Sequence, residues 1–219
     1  MTLNLHGRGT RPEAFQALVE QWKPDMILLT ELPEDGTPLM EPLANRYPHR
    51  LAERNGSPFD VVLLSRWRIE QRSIDRSAAA FLPVLSVRAC DPHRAGLCLT
   101  LVGLHAARPL GRNLRLQEAQ LRIAAAAARA ASTGDVVVMG DLNLTPWSRG
   151  FRRFAEQAGV RDNPQERDLS ATWLSRLPLA GLMIDHVLTG TGIRMLRSHV
   201  GSDVGSDHLP VIADLALSG

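Results

Sequence analysis

An acid and an amide close an apolar run in VVVMGDLNLTPWS (residues 136–148), where Asp141 and Asn143 stand two apart after Val136, Val137, Val138 and Met139. Side chains alternate along a strand, so residues two apart share a face while the chain stays extended. Alone, the pair reads more readily as a turn, because Asp and Asn both favour turns. The arrangement recurs, however. Glu31 ends MILLTE, His105 ends LVGLHA, Asp185 interrupts LMIDHVL, Asp207 and His208 stand in GSDHLPV, and Asn4 sits inside MTLNL. Six strand-like segments thus present Asn, Asp, Glu or His at an end or a break in an apolar pattern. A lone carboxylate inside such a strand is costly unless it is paired. Ordinary satisfied core residues can account for one or two of these segments, not for six. The residue types are those that hold hard cations and move protons.

Gathering them requires strands that end together. MTLNL reads as a short strand, and Pro12 to Trp22 as a helix with Phe15, Leu18, Val19 and Trp22 at helical spacing. It stops at Lys23-Pro24, since proline disfavours helical geometry in the residue before it. Residues 26–30 (MILLT) and 60–65 (DVVLLS) read as strands, and FLPVLSVRA with LCLTLVGLHA as a hairpin around Cys90 and Cys98. A long helix follows over about Leu114 to Ala131, stopping near Gly134. After the 136–141 strand a second helix is expected, with Thr145 as its cap, Pro146 in its first turn and Gly159 at its end. LMIDHVL, IRMLRSHV and LPVIADLAL are the last strands. Neither an internal repeat nor a low-complexity linker is visible, so the expectation is one compact domain over residues 1–219. The pattern suits an α/β protein with two sheets face to face and helices outside.

In chain order, TLNLHG, ILLTEL, VVLLS, GLHA, GDLN, IDHV and GSDHLPV resemble the motifs of the endonuclease/exonuclease/phosphatase family, the DNase I-like hydrolases. GDLN and GSDHLPV are the specific pieces. GDLNLTPWS followed by TW and IDHVL is most similar to a compact bacterial branch. The resemblance implies a four-layer α/β sandwich of two mixed sheets, with the site at one edge of both. It also implies a phosphate-ester hydrolase using Mg²⁺, with Mn²⁺ as an alternative. On that reading Glu31, Asn4 and Asp207 serve the metal, since Mg²⁺ is held by one or two carboxylates and keeps several waters. Asp141 would orient and deprotonate the attacking water, and Asn143 would hold the phosphate. His105 and His208 would bond the non-bridging oxygens, with Asp185 orienting His208 and favouring its charged form. The alternative gives the His208–Asp185 pair the general-base role and leaves Asp141 a positioning one. His186, next to Asp185, should point to the opposite face and be structural. His6, two positions from Asn4, is within reach of the site. Arg8, Arg108, Trp147 and Trp173 are secondary candidates for substrate contact; solvated arginines and packed tryptophans are the more frequent case.

The bulk properties bound the substrate loosely. Net charge is +2, and every basic residue but Lys23 is arginine, which reflects either genome composition or phosphate recognition by paired guanidinium bonds. That charge does not suggest a long nucleic-acid footprint, and 5% aromatic residues leave few stacking groups for single strands. GLMI before Asp185 is unlike the Trp-Cys-Asp-Arg-type segment of inositol-polyphosphate 5-phosphatases. The expectation is therefore a phosphodiesterase or nuclease, with a lipid or small-molecule phosphate ester close behind and a non-catalytic binding module as the other class. No obligate protein partner is implied. Cys90 and Cys98 either pair across the hairpin or are independent core thiols, the commoner case outside secreted proteins. No apolar run is long enough to span a bilayer and no signal peptide is visible at the start. Only three residues precede Asn4, fewer than the family's first strand usually has, which suits a naturally short strand or a longer chain with a membrane tether upstream. The expected location is accordingly cytoplasmic or membrane-tethered.

Overall fold

The computed structural model describes residues 1–54, 58–131, 134–162, 170–174, 177 and 180–217. The strands are β1 (Thr2–Asn4), β2 (Met26–Thr30), β3 (His49–Glu53), β4 (Val61–Ser65), β5 (Arg68–Asp75), β6 (Val84–Cys90), β7 (Cys98–His105), β8 (Val136–Asp141), β9 (Asp185–Thr189), β10 (Ile193–Val200) and β11 (Val211–Leu217). The helices are α1 (Pro12–Trp22), α2 (Thr37–Met40), α3 (Asn113–Arg129) and α4 (Arg149–Ala158). One sheet runs β10-β11-β1-β2-β4-β3 and the other β5-β6-β7-β8-β9. Both are mixed, with a single parallel pair in each: β1 with β2, and β7 with β8.

Alternation along the strands sorts the residues into layers. Leu28, Leu63, Leu85, Leu101, Val137, Met139 and Val187 meet between the sheets. The opposite strand faces pack outward. Leu3, Ile27 and Leu29 lie against α1, through Phe15, Leu18 and Val19. Val102, Val138 and Leu188 lie against α3 and α4, through Leu121, Ala124, Phe151 and Phe154. The result is helix, sheet, sheet, helix, the four-layer sandwich the motifs imply. Gly103 lets the sheets close: a Cβ there would stand 2.5 Å from Leu28 Cδ1.

Several local expectations are corrected. Thr145 does not cap α4. Its carbonyl accepts from Ser148 N (3.0 Å), and this turn moves the cap to Ser148, whose Oγ accepts from Phe151 N at 3.1 Å. β3 and β5 are strands that the sequence pattern does not announce. Cys90 and Cys98 form a disulfide, lying directly opposite each other in the β6–β7 register. Among the described residues, no helix is long and apolar enough to cross a membrane.

Candidate active site

The site is the upper rim of the inter-sheet core, where the inward-facing positions turn from apolar to polar. Along β8 the inward series is Val137, Met139, Asp141; along β9 it is Asp185, Val187. Asn4 ends β1 opposite Thr30, and His105 ends β7 opposite Asp141. β9 begins with Asp185, also opposite Asp141. Four strand ends thus deliver Asn4, His105, Asp141 and Asp185 to one edge, and Glu31 and His208 join them from adjoining turns.

Asn4 ties the sheets together at this edge. Its Nδ2 donates to Glu31 Oε1 at 3.0 Å and to Asp141 Oδ2 at 3.1 Å, while its Oδ1 accepts from His6 N at 2.9 Å. The amide nitrogen thus bridges the two carboxylates, while the amide oxygen, the atom that would meet a cation, keeps a second lone pair beside its bond to His6 N. His105 Nε2 lies 3.4 Å from Asp141 Oδ2 and 3.7 Å from Glu31 Oε1. Its Nδ1 lies 2.9 Å from Pro58 O, which only accepts, so Nδ1 carries a hydrogen. His208 Nδ1 pairs with Asp185 Oδ2 at 2.8 Å, which turns its Nε2 toward Asp141 Oδ2 (3.9 Å).

Burial sets the electrostatics. Asp141, Asp185, His105 and His208 are each 2% exposed and Glu31 7%. Desolvation, then the Asp185 charge, raise the Asp141 pKa above the usual carboxylate value, against His105, His208 and the Asn143 N–H. For His208 burial is the largest influence and disfavours the charged ring. The Asp185 charge and hydrogen bond, with Asp141 and Asp207 behind them, outweigh it and push the pKa up to about 9.

The DLN segment combines the two readings of it. β8 stops at Asp141, and Asn143 adopts a left-handed conformation (φ 50°), so the pair does not share an extended face. Asp141 Oδ1 accepts from Asn143 N at 2.9 Å, the turn chemistry of aspartate. Asn143 Nδ2 donates to Ala106 O at 2.8 Å, yet both residues still line one cleft. Glu31 (φ 48°) and His6 (φ 57°) are left-handed too. Such conformations are uncommon outside glycine and gather where function over-determines the backbone. Gly140 is obligatory, with φ 138° and a Cβ position only 2.0 Å from Leu104 O.

Asp207, expected as a metal contact, stands at the rim: Trp173 Nε1 donates to its Oδ2 (3.2 Å), while its Oδ1, 3.1 Å from His6 Nδ1, makes no hydrogen bond. Arg108, exposed, reaches to 4.0 Å from Glu31 Oε1. It lines the cleft with Trp173, whereas Arg8 is exposed in the turn after His6, and Trp147, 63% exposed, bonds Arg152 through its carbonyl; neither lines the cleft. His186 points away from the site, Nε2 2.7 Å from Leu144 O and its ring against Phe151.

Four supporting residues escaped the sequence reading. Gln117 Nε2 donates to Leu142 O and Asn143 O, and Gln120 bonds His105 O and Ala107 N. Thr172 Oγ1 accepts from Ile184 N and Asp185 N, and Ser206 Oγ donates to Asn4 O while accepting from His208 N. The one signal for the glutamines is their spacing of three on the face of α3 that also carries Leu121 and Ala124.

The sequence pattern of the Endonuclease/Exonuclease/phosphatase family matches residues 1–208. The chain belongs to this family. No curated protein matches it closely enough to count. Solved structures give the same fold at low identity. An endonuclease/exonuclease/phosphatase from Beutenbergia cavernae superposes with a TM-score of 0.76 at 20% identity, covering 100% of this chain and 71% of that one. Humanized D. rerio TDP2 gives 0.76 at 17%, covering 98% and 97%. Sphingomyelinase C from Streptomyces griseocarneus gives 0.64 at 17%, covering 97% of each.

Enzymes of the family are generally phosphoesterases that use divalent metals. The residues of this chain fit a hard divalent cation. Asp141 and Asp185 bring carboxylate oxygens within 4.8 Å of one another, and Glu31 shares Asn4 with Asp141. Among the described residues His105 Nε2 and Asp185 Oδ1 lack a hydrogen-bond partner. Buried carboxylates outnumber the buried histidines, an imbalance a cation corrects.

Proposed function

We propose that the chain is a divalent-metal-dependent phosphodiesterase, with Mg²⁺ as its metal and Mn²⁺ as a substitute. The observation that carries this reading is the convergence of Glu31 and Asp141, bridged by Asn4, with His105 and the Asp185–His208 pair, of which Asp141 and His208 line a cleft of about 430 Å³. When bound, the cation neutralises phosphoryl and leaving oxygens. Asp141, its carboxyl shifted toward proton affinity, receives the proton of the attacking water. His208, held charged by Asp185, directs Nε2–H at a non-bridging oxygen and stabilises the charge that builds there. A ring charged at neutral pH is a poor general base, which favours this assignment over the reverse one. His105 is the second donor when Nε2 as well as Nδ1 carries a hydrogen, the charged ring then lying beside the Asp141 and Glu31 carboxylates, and Asn143, fixed through Ala106 and Asp141, orients the phosphate beside it.

The test is hydrolysis of bis(p-nitrophenyl) phosphate under metal titration. Turnover that requires Mg²⁺ or Mn²⁺ and disappears with chelator is expected. Absence of turnover on any phosphate ester with either metal would overturn the reading and leave a binding module that retains the fold.

A further inference from the structure

The exposed large hydrophobic residues are not scattered. Of the seven among the described residues, six lie on connections at the site end of the sandwich, and Leu196 alone lies elsewhere, on β10. Leu110 (71% exposed) and Leu114 (46%) follow β7, whose last residue is His105. Trp147 follows β8, and Leu177 (60%) and Leu182 (42%) precede β9, which starts at Asp185. Phe81 precedes β6, whose first residue pairs with Leu104. Leucine and tryptophan placed in water around a cleft mark a surface that meets something apolar.

Charge says what that is. Residues 108–115 are RPLGRNLR, all exposed, with three arginines and no acid. The start of α4 adds exposed Arg149, Arg152 and Arg153 beside Trp147, again without an acid between 142 and 155. α3 and α4 pack side by side, so the two clusters adjoin. Arginine interleaved with exposed leucine suits a lipid–water boundary, with side chains in the acyl region and guanidinium groups on anionic headgroups. A nucleic acid would answer the arginines but gains nothing from aliphatic leucines, since its apolar contacts are stacked rings. The cleft continues the same character inward through Pro109, Leu144 and Ile184.

We infer that this rim docks on an anionic phospholipid surface and that the phosphodiester of a phospholipid headgroup is the substrate. This rests on the phosphodiesterase reading and reverses the order expected from sequence, which placed nucleic acid ahead of lipid.

The test uses vesicles of phosphatidylcholine with and without phosphatidylglycerol. Co-sedimentation is measured with the metal chelated, so that binding is read apart from turnover, and phospholipid hydrolysis is then measured with Mg²⁺. Wild type should partition onto the phosphatidylglycerol vesicles and hydrolyse their lipid. The pair Leu114→Gln and Leu177→Gln, neither lining the cleft, should weaken partition and vesicle hydrolysis about tenfold or more, or ~1.4 kcal/mol, at the low end for burying one leucine. Turnover of the soluble bis-ester should be unchanged, and Arg112→Glu with Arg115→Glu should abolish the preference for anionic vesicles. Wild type left in the supernatant, or unaltered partition of the leucine variant, overturns the inference. Plasmid or single-stranded DNA hydrolysed faster than vesicle lipid overturns it in favour of nucleic acid. Failure of bis-ester turnover with vesicle binding intact removes the phosphodiesterase reading and leaves the docking surface standing.

Discussion

Asp185→Asn removes the charge behind His208 while keeping the side-chain volume and an oxygen within reach of Nδ1–H. In the intact site that bond is 2.8 Å long, and the ring stays protonated up to about pH 9 against an ordinary 6.5. The difference amounts to roughly 3 kcal/mol in favour of the charged ring, at about 1.4 kcal/mol per pH unit. Burial is the largest influence on this histidine and opposes the charge. Without the Asp185 carboxylate it is no longer outweighed, and the pKa falls to the ordinary histidine range or below. On the proposed assignment the charged ring is the productive form, so wild-type kcat should hold through neutral pH and fall as pH rises through about 9. The ring's contribution to stability runs in the same sense, complete below about 6.5 and lost through about 9. In Asp185→Asn the basic limb moves to near-neutral pH, kcat at neutral pH drops about 10²-fold, and acidification restores part of it. The assay is the pH profile of bis-ester kcat for both proteins, with the imidazole titration followed by NMR. An unmoved basic limb in the variant would refute the reasoning. So would a wild-type kcat that climbs through pH 9, since it would give His208 the role of base.

Asp141→Asn should lower turnover by at least ~10²-fold, as expected for loss of a positioned proton acceptor. The same variant should melt higher than wild type at neutral pH, because a carboxylate whose pKa is raised by folding costs stability once ionised; near-native rates in the folded variant would remove the central role assigned to it. Cys90→Ala with Cys98→Ala should cost roughly 2.5 kcal/mol in denaturant unfolding, the loop-closure value for a loop this short. Bis-ester turnover should persist, because the bridge lies at the opposite end of the β6–β7 hairpin from His105. His186→Ala should lose about 1–3 kcal/mol of stability with its buried bond to Leu144 O, and keep turnover within a few-fold. A loss equal to that of Asp141→Asn would show that the two faces of β9 are wrongly assigned.

The strands legible in the sequence are those buried on both faces. β2, β4 and β8 read as unbroken apolar runs because a sheet covers one side and helices the other. β3 and β5 were missed for the converse reason. Each lies at one edge of its sheet, and RIEQRSID is exposed along most of its length, so solvent rather than packing chose its residues, whereas the edge strand β9 is buried and legible. Asn4, Glu31, His105, Asp141, Asp185 and His208 were legible as polar residues that apolar strands do not explain. Gln117, Gln120, Thr172 and Ser206 were not, because they bond backbone groups distant in sequence, and nothing local distinguishes them from ordinary polar residues. Asn143 shows the limit of alternation as a guide. The Asp141 carboxylate that was expected to act beside it also bends the chain at it.

Strand direction explains why the chemistry gathers at this edge. Antiparallel neighbours end on opposite sides of a sheet, so two successive strands cannot both finish at one rim. Each sheet here holds one parallel pair, and those pairs finish with Asn4 beside Thr30 and Glu31, and with His105 beside Asp141. Ending together leaves a row of backbone groups beyond the ladder, and the turns absorb them: Leu5 N bonds Thr30 O, Gly7 N bonds Glu31 O, and Ala106 N bonds Asp141 O. A parallel pair also demands a long crossover, normally a helix. α1 and α3 are those crossovers, and α3 returns across its sheet close enough for Gln117 and Gln120 to grip the chain just past β7 and β8. The connection that topology requires therefore holds these strand ends in place, which ties the geometry of the candidate site to the packing of the helix layer.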